Sequence, residues 1–189
     1  VTSDHMDRYD SMLDYAQAKA KIFDQCGTAV VNADDPLVAA MPRHHQRVLS
    51  FSVKENSNSD YHINHVGKEP WLYRQGEPLL ALSELKIAGL HNAANALAAL
   101  AMSEALGLDR QACLQALRDF AGLPHRSEWV ADVNGVRYIE DSKGTNVGAT
   151  LAAVNGMQGP LVVIAGGQGK GQDFSPLASA FRDKVRHVV

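Results

Sequence analysis

The sequence predicts an α/β fold, with a mixed sheet in its first part and a parallel α/β arrangement in its second part. Three observations support this prediction. Short apolar runs alternate with helical periodicity toward both ends of the chain, and residues 60–90 break into short alternating pieces around glycine and proline. A Gly-Leu-Pro sequence at residues 122–124 interrupts every regular pattern. We therefore expect a first domain over residues 1–122 and a second over residues 123–189.

The first domain is predicted to begin with a helix over residues 10–25. Its apolar residues recur at helical spacing, and Lys19 falls on the same stripe. Apolar, β-branched runs at residues 27–31 and 48–53 predict strands of an α/β sheet, and residues 60–90 predict antiparallel hairpins. The sheet is therefore expected to be mixed.

Two helices are predicted to complete the first domain. The alanine-rich segment 91–106 has an apolar face, and Gly107 is suited to end it. Asp109 can cap a second helix that ends near residue 122.

The second domain is predicted to open with a hairpin, because Asn134-Gly135 is a strong turn signal between two strand-like runs. Strand and helix then alternate, which predicts a parallel α/β arrangement. The predicted elements are a helix over residues 147–154, a continuous buried strand over 161–165, a helix from Ser175 and a strand from residue 185.

Composition limits the classes of protein that fit the chain. A hydrophobic content of 46% over 189 residues is sufficient for a core, and the net charge of −3 includes no basic run. This argues against a nucleic-acid-binding or membrane-surface module. Its longest wholly apolar alanine-rich run, residues 96–102, is far shorter than the roughly 20 residues that span a bilayer. Since Cys26 and Cys113 lack metal-ligand spacing, we expect a cytoplasmic setting, without nucleic acid or membrane insertion.

The two ends of the sequence suggest a piece of a longer protein. Residues 1–5 begin without methionine and lead at once into polar residues, and residues 185–189 look like a strand that simply stops. The expectation is that further sequence lies on both sides.

Lys19 is the most diagnostic single residue, because burying an ammonium group is unfavourable unless it is paired or chemically changed. Alternatively, its stem lies on apolar surface while its amine stays in water. His5 precedes it by about four helical turns, so an extended helix would direct both side chains to one region. One histidine without a second ligand in the sequence is weak evidence for a metal site.

Two glycine-containing loops follow strands of the second domain, where ligands bind in open α/β sheets. Residues 141–146 (Asp-Ser-Lys-Gly-Thr-Asn) fit either an anion site or an ordinary turn capped by Thr145 or Asn146. Residues 166–171 (Gly-Gly-Gln-Gly-Lys-Gly) fit neither the phosphate loop nor the dinucleotide fingerprint. An anion-binding turn that uses Lys170 is the interpretation that remains.

Three other polar residues are candidates for nucleotide contacts. Asn92 and Asn95 place amides three residues apart at a helix start, where they can contact a base-like ligand, although Asn92 could equally cap the helix. Arg126 follows the predicted boundary and can either reach phosphate oxygens or form a surface ion pair.

Together these residues resemble the Mur ligase family over nearly the whole chain. The resemblance implies part of a central ATP-binding domain, with a mixed sheet and helices, followed by part of a Rossmann-like C-terminal domain that binds the amino acid. The family's phosphate loop and UDP-binding domain are expected upstream of Val1. The matching motifs are residues 2–9, Lys19 with Ile22 and Phe23, and residues 32–35, 89–96, 123–126, 141–146 and 166–174.

The resemblance also implies an activity. Residues 141–146 look like the loop of the members that add D-glutamate to UDP-N-acetylmuramoyl-L-alanine with ATP and Mg²⁺. The resemblance implies that Lys19, as a carbamate, and His5 are metal ligands and that both, with Lys143, are catalytic. It further implies a cytoplasmic, monomeric bacterial ligase, and an isolated 189-residue piece that is inactive. The implied nucleotide contacts are Asn92, Asn95, Arg126 and Asp141, and the implied D-glutamate contacts are Lys143, Thr145 and Lys170.

Two alternatives stay open from the sequence. Another Mur ligase or a folylpolyglutamate synthase-like amide ligase would share most of these motifs. A noncatalytic nucleotide-binding module is the alternative from a different class, and the absence of a phosphate loop within the chain favours it.

Overall fold

The computed structural model describes residues 8–55, 57–87, 89–169 and 171–189. Its contacts divide the described residues into two compact units, one ending at Phe120 and one running from Ala121 to Val189. The predicted domain boundary after residue 122 lies close to this division and stays a prediction.

The first unit contains a five-stranded sheet and four helices among its described residues. Strands β1 to β5 lie side by side in chain order. The elements are α1 (Met12–Ala20) with a 3₁₀ turn (Lys21–Phe23), β1 (Thr28–Asn32), α2 (Pro36–Ala39), β2 (Arg47–Glu55), β3 (Tyr61–Val66), β4 (Glu69–Arg74), β5 (Glu77–Ala81), a 3₁₀ turn (Leu82–Glu84), α3 (Leu90–Ala105) and α4 (Arg110–Asp119).

The sheet is mixed, as the sequence predicts. β1 pairs with β2 and β2 with β3 in parallel, whereas β3, β4 and β5 form an antiparallel meander. The side chain of Asp34, just after β1, accepts hydrogen bonds from Ser52 Oγ (2.7 Å) and the Val53 amide (2.8 Å) of β2. This carboxylate therefore joins the first two strands near their carboxyl ends.

The core of the first unit lies between the sheet and α3. Leu97 and Ala101 of α3 are fully buried, and they belong to the same apolar cluster as Leu49, Leu72 and Leu80 of the sheet. Each fully buried leucine of this kind contributes about 1.5–3 kcal/mol. The alanine-rich composition of α3 fits this position, because small side chains let the helix lie close to the strands.

A network of charged side chains ties α3 to the sheet. The Glu104 carboxylate accepts hydrogen bonds from Arg74 Nε (2.6 Å) and Nη2 (2.9 Å), Tyr61 Oη (2.7 Å) and Arg47 Nη2 (2.7 Å). Arg74, followed by Tyr61, lowers the pKa of Glu104 to about 2. Burial and the Glu104 carboxylate raise the pKa of Tyr61 to about 12. The carboxylate is therefore charged at neutral pH and holds three other side chains together.

The second unit consists of a hairpin and a strand–helix–strand segment. The hairpin turn at Asn134-Gly135 has φ values of 51° and 78°, which is the pair of left-handed residues that a type I′ turn requires. β8 and β9 pair in parallel, and α6 connects them. The elements are β6 (Glu128–Val133), β7 (Val136–Glu140), α5 (Val147–Gly156), β8 (Leu161–Val163), α6 (Ser175–Lys184) and β9 (Val185–Val188).

Three element boundaries differ from the prediction. α1 ends at Ala20 and continues only as a 3₁₀ turn, and α4 ends at Asp119. The prediction of a continuous buried strand over 161–165 was wrong, because β8 ends at Val163 and Val162 is 62% exposed. An apolar run indicates that a segment favours the β conformation. A strand is buried only when other elements also pack on both faces of its sheet.

The last turn of α6 is fixed to the carboxyl end of α5 by a lysine. Lys184 Nζ donates hydrogen bonds to the carbonyls of Val154 (3.2 Å), Asn155 (2.8 Å) and Met157 (2.9 Å). Carbonyls at a helix carboxyl end lack partners within the helix and lie at its negative pole. One ammonium therefore satisfies three of them.

Replacing Lys184 by methionine is expected to destabilise the second unit by about 1–3 kcal/mol, because the three carbonyls lose a charged donor. Urea unfolding followed by the fluorescence of Trp129 measures the change, with Trp71 replaced by phenylalanine so that one tryptophan reports. Arg182→Met, at an exposed position of the same helical turn, is the matched control. Equal unfolding midpoints for the two variants would contradict the role of Lys184.

No helix within the described residues combines the length and the apolar character needed to cross a bilayer.

Candidate functional site

Lys19 lies on α1 with its side chain exposed, so its apolar spacing does not bury it. Its Nζ lies 4.8 Å from the ring centroid of Tyr15, which is itself buried. The stem therefore lies against an aromatic surface while solvent reaches the amine, which is the arrangement that the snorkelling alternative predicts. His5 lies outside the described residues, and the pairing of these two residues stays a prediction.

Asn92 and Asn95 lie on one face of the first turns of α3. Asn95 Nδ2 donates to Asn92 Oδ1 at 3.4 Å. Gly89, with a φ of 97°, is the N-cap of α3, so the alternative in which Asn92 caps this helix was wrong. The side-chain amides of Asn92 and Asn95 therefore form a hydrogen-bonded pair near the start of α3. Amide groups offer both donors and acceptors, so such a pair can bind a ligand through hydrogen bonds.

A cleft of about 370 Å³ opens at this same end of α3. Gly89 and Ala93, which flank Asn92 in the sequence, form part of its wall. Apolar walls next to a few polar groups are typical of small-molecule sites. The remaining lining residues are Leu82, Ser83, Leu85 and Ile87.

In the second unit, residues 141–146, here called the Lys143 loop, connect β7 to α5. Asn146 is the N-cap of α5 and accepts a hydrogen bond from the Ala149 amide (2.8 Å), so capping is one of the loop's functions. Lys143 and Thr145 are exposed, and Asp141 is half-buried. A Cβ on Gly144 would lie 2.7 Å from Asp141 Oδ2, so a side chain at this position would have to displace the Asp141 carboxylate.

Arg126 lies in a turn formed by residues 123–127, here called the Arg126 turn. Its side chain is exposed, and its amide donates to the Leu123 carbonyl at 3.2 Å. The residues on either side, His125 and Ser127, have φ values of 66° and 47°. Left-handed conformations of non-glycine residues persist only where their surroundings hold them, and they are enriched at functional sites.

The Arg126 turn and the Lys143 loop are held together by hydrogen bonds. The Ser127 amide donates to Asp141 Oδ1 (2.8 Å), and the Lys143 amide donates to the His125 carbonyl (3.1 Å). The structure therefore brings Arg126, Asp141 and Lys143, three residues that the sequence assigned to a site, onto one hydrogen-bonded frame.

His125, Glu128 and Glu140 form a polar cluster beside this frame, with potential metal-ligand atoms that all lie within 4.8 Å of one another. Hydrogen bonds already account for these groups. The His125 amide donates to Glu128 Oε2 (2.8 Å), His125 Nδ1 contacts Glu140 Oε2, and the Ser142 amide donates to Glu140 Oε1 (2.6 Å). Ser142, followed by His125, lowers the pKa of Glu140 to about 2. We interpret the cluster as a set of hydrogen bonds that stabilises the Arg126 turn and the Lys143 loop, and not as a metal site.

Gln172, which follows the glycine-rich residues 166–171, contacts the start of α5. Gln172 Oε1 accepts a hydrogen bond from the Val147 amide (2.9 Å), and the Gln172 amide donates to the Gly169 carbonyl (2.9 Å). Amides at a helix amino end lack partners within the helix, so the Gln172 side chain satisfies one of them. This bond links residue 172 to the residue that directly follows the Lys143 loop. Lys170 itself lies outside the described residues.

Glu140 and Gln172 are positions that sequence reasoning missed. Glu140 directly precedes the loop sequence, so a polar residue at the end of a strand was the available signal. No local signal identified Gln172, because its partner lies 25 residues earlier in the chain.

Comparison with known proteins agrees with this arrangement of a mixed-sheet unit and a strand–helix–strand unit. The Mur ligase middle domain matches residues 1–103, and the glutamate ligase domain of Mur ligases matches residues 125–189. Both matches are to domains of one class of proteins, the Mur ligases. The chain belongs to the Mur ligase family.

Relatives that share one name are similar to the chain over its whole length. The chain is 52% identical over its whole length to the UDP-N-acetylmuramoylalanine--D-glutamate ligase of Nitrosococcus oceani, of which it covers 42%. It is 49% identical to the ligase of the same name from Methylococcus capsulatus, of which it covers 41%. The chain thus spans about two-fifths of the length of these relatives.

Solved structures share the fold at lower identity. MurF from Acinetobacter baumannii matches the whole chain with a TM-score of 0.72 and 19% identity, and the match covers 49% of that protein. UDP-N-acetylmuramate-alanine ligase MurC from Thermotoga maritima matches 99% of the chain with a TM-score of 0.69 and 24% identity, over 44% of its own length. These similarities confirm the predicted combination of a mixed-sheet domain and a second α/β domain.

Proposed function

We propose that this chain acts within an ATP-dependent ligase that joins D-glutamate to UDP-N-acetylmuramoyl-L-alanine. The observation that supports it most is the identity of about half of all residues, across the whole chain, with relatives of that name. The hydrogen-bonded frame of Arg126, Asp141 and Lys143 is consistent with it, because cationic side chains suit phosphate and carboxylate substrates.

The proposed reaction has two steps. The carboxylate of UDP-N-acetylmuramoyl-L-alanine attacks the γ-phosphorus of ATP, which gives an acyl phosphate and ADP. The amine of D-glutamate then attacks the acyl carbon, and the tetrahedral intermediate releases phosphate and one proton to leave an amide. Charge accumulates on phosphoryl and carboxylate oxygens in both steps, so fixed cations near these oxygens accelerate them.

Each substrate has a set of proposed contacts. Asn92 and Asn95, beside the apolar cleft, suit the adenine base, and Arg126 and Asp141 serve the rest of the nucleotide. Lys143, Thr145 and Lys170 serve the carboxylates of D-glutamate. Their side chains offer donors and cations of the kind that hold a dicarboxylate in place.

Lys19 and His5 could also bind a metal ion, provided that Lys19 is carbamylated. The unmodified Lys19 ammonium would repel Mg²⁺, whereas its carbamate carries the oxygen ligands that Mg²⁺ prefers. The exposed position of the amine allows CO₂ to reach it. His5 would be the second ligand. When bound, the metal ion would neutralise phosphoryl charge.

The test is ADP release by the full-length ligase with UDP-N-acetylmuramoyl-L-alanine and a panel of amino acids. Release that depends on D-glutamate, and not on L-glutamate, glycine or L-alanine, supports the proposal. Selectivity for another amino acid, or for a folate substrate, would identify a different amide ligase. A failure to bind and turn over any of them would favour the noncatalytic module.

The proposal also covers the oligomeric state, the location and the activity of the isolated chain. We propose a monomer in the bacterial cytoplasm, and we propose that these 189 residues do not catalyse ligation when isolated. D-glutamate-dependent phosphate release by the purified 189-residue chain would contradict that last point.

A further inference from the structure

We propose that Glu140 is a positioning residue that keeps the Arg126 turn and the Lys143 loop in one fixed arrangement, and so couples nucleotide binding to D-glutamate binding. The inference rests on the ligase function proposed above. Glu140 acts through its neighbours and is not itself assigned to either substrate.

The carboxylate of Glu140 bridges the two segments. Its Oε1 accepts the Ser142 amide of the Lys143 loop (2.6 Å), and its Oε2 contacts His125 Nδ1 of the Arg126 turn. A single charged group therefore holds both segments, and hydrogen bonds to a charged group are stronger than those between neutral groups.

The Arg126 turn needs such support. His125 and Ser127 both have left-handed backbone conformations, which their side chains disfavour in isolation. Two carboxylates hold His125, since Glu128 accepts its amide (2.8 Å) and Glu140 contacts its ring. Without Glu140 the turn keeps only part of this support, and Arg126, which lies between the two left-handed residues, moves with it.

The same bridge connects two different ligands. Arg126 is proposed to contact the nucleotide and Lys143 to contact D-glutamate, and the Lys143 amide donates to the His125 carbonyl (3.1 Å). A shift of the turn is therefore transmitted to the loop. Binding of one substrate orders the frame that the other substrate uses, and the effect must be equal in both directions.

The experiment uses the full-length ligase and the variants E140A, E140M, E140Q and D132N. E140M removes the carboxylate but keeps the stem of the side chain. It therefore serves as the test variant if E140A does not fold. E140Q keeps an acceptor oxygen for the Ser142 amide and a polar amide group beside the His125 ring. D132N is the matched control, because Asp132 is an exposed carboxylate of the β6–β7 hairpin that pairs with Arg137 (3.1 Å).

E140A and E140M are expected to raise the KM for ATP and the KM for D-glutamate roughly ten-fold each, because the charged carboxylate that holds both segments is lost. The KM for UDP-N-acetylmuramoyl-L-alanine is expected to stay within about two-fold, and E140Q and D132N within about three-fold of wild type for all substrates. Calorimetry should show that D-glutamate tightens binding of a nonhydrolysable ATP analogue in the wild type and does so less in E140M.

Two results would overturn the inference. One is unchanged KM values in both E140A and E140M. The other is a lower melting temperature with fewer active sites but wild-type KM values, which is the signature of a purely structural role. A wild-type protein that ligates no D-glutamate would instead overturn the proposed function, so the two failures are distinguishable.

Discussion

Replacing Lys19 by alanine is expected to lower the turnover of the full-length ligase by about 10²–10³-fold, the usual effect of removing one group that stabilises transition-state charge. The fold should be unaffected. Lys19 is exposed on α1, and its described contact is with the Tyr15 ring at 4.8 Å. Its charge in the last turn of the helix contributes only about 0.3–1 kcal/mol. A large loss of turnover with nearly unchanged melting temperature is the expected combination.

The matched control is Lys21→Ala, which removes an exposed lysine two residues further along. Its turnover should stay close to that of the wild type. Depleting CO₂ from the buffer should lower wild-type turnover and should not change that of Lys19→Ala, because only the wild type can form the carbamate. Finding an unmodified Lys19 in crystals of the Mg²⁺-bound full-length ligase would contradict the proposed metal role.

Replacing Glu104 by alanine is expected to destabilise the first unit by about 3–5 kcal/mol, the usual effect of removing one partner from a buried ion pair. The Arg74 side chain is only 12% exposed and the Glu104 side chain 23% exposed. Without the carboxylate, Arg74 loses both of its short hydrogen bonds, and Tyr61 and Arg47 lose theirs. Urea unfolding followed by Trp71 fluorescence, with Trp129 replaced, measures the loss.

The Glu104 network should also make stability depend on pH. Because the pKa of Glu104 is lowered to about 2, the unfolded chain binds more protons than the folded chain between that value and its ordinary pKa of 4.5. The stabilisation is fully present above about pH 4.5 and is lost as the pH falls toward 2. Glu104→Gln should remove this part of the acid dependence.

A surface pair of the same chemistry provides the control for Glu104. Glu77 pairs with Arg110 at 2.9 Å, but the two side chains are 61% and 46% exposed. Glu77→Ala should therefore change stability by less than about 1 kcal/mol. A Glu104→Ala variant no less stable than Glu77→Ala would show that the network does not stabilise α3 on the sheet.

Local chemistry explains which parts of the fold were predictable. The Asn134-Gly135 turn and the Asp109 cap are confirmed, because each needs a residue type at a fixed offset. The antiparallel hairpins within residues 60–90 are confirmed, because glycine and proline mark their turns. In each case the signal and its effect lie within a few residues of one another.

Contacts between distant residues were not predictable from the sequence. Glu104 lies 30 residues after Arg74 and 43 after Tyr61, so no spacing indicates their network. The left-handed turn at His125 and Ser127 has no glycine or asparagine to signal it. Periodicity alone left Lys19 open between burial and an exposed amine, because it gives the direction of a side chain and not the depth of the surface that covers it; the structure agrees with the exposed alternative.

The bond from the Lys143 amide to the His125 carbonyl involves main-chain atoms only. Any residue except proline at position 143 can make it. The side chain at position 143, which we propose contacts D-glutamate, can therefore be exchanged without breaking this link to the Arg126 turn. For protein engineers, position 143 is thus a starting point for libraries that seek new amino-acid selectivity, whereas Gly144 should be kept because a side chain there would displace the Asp141 carboxylate.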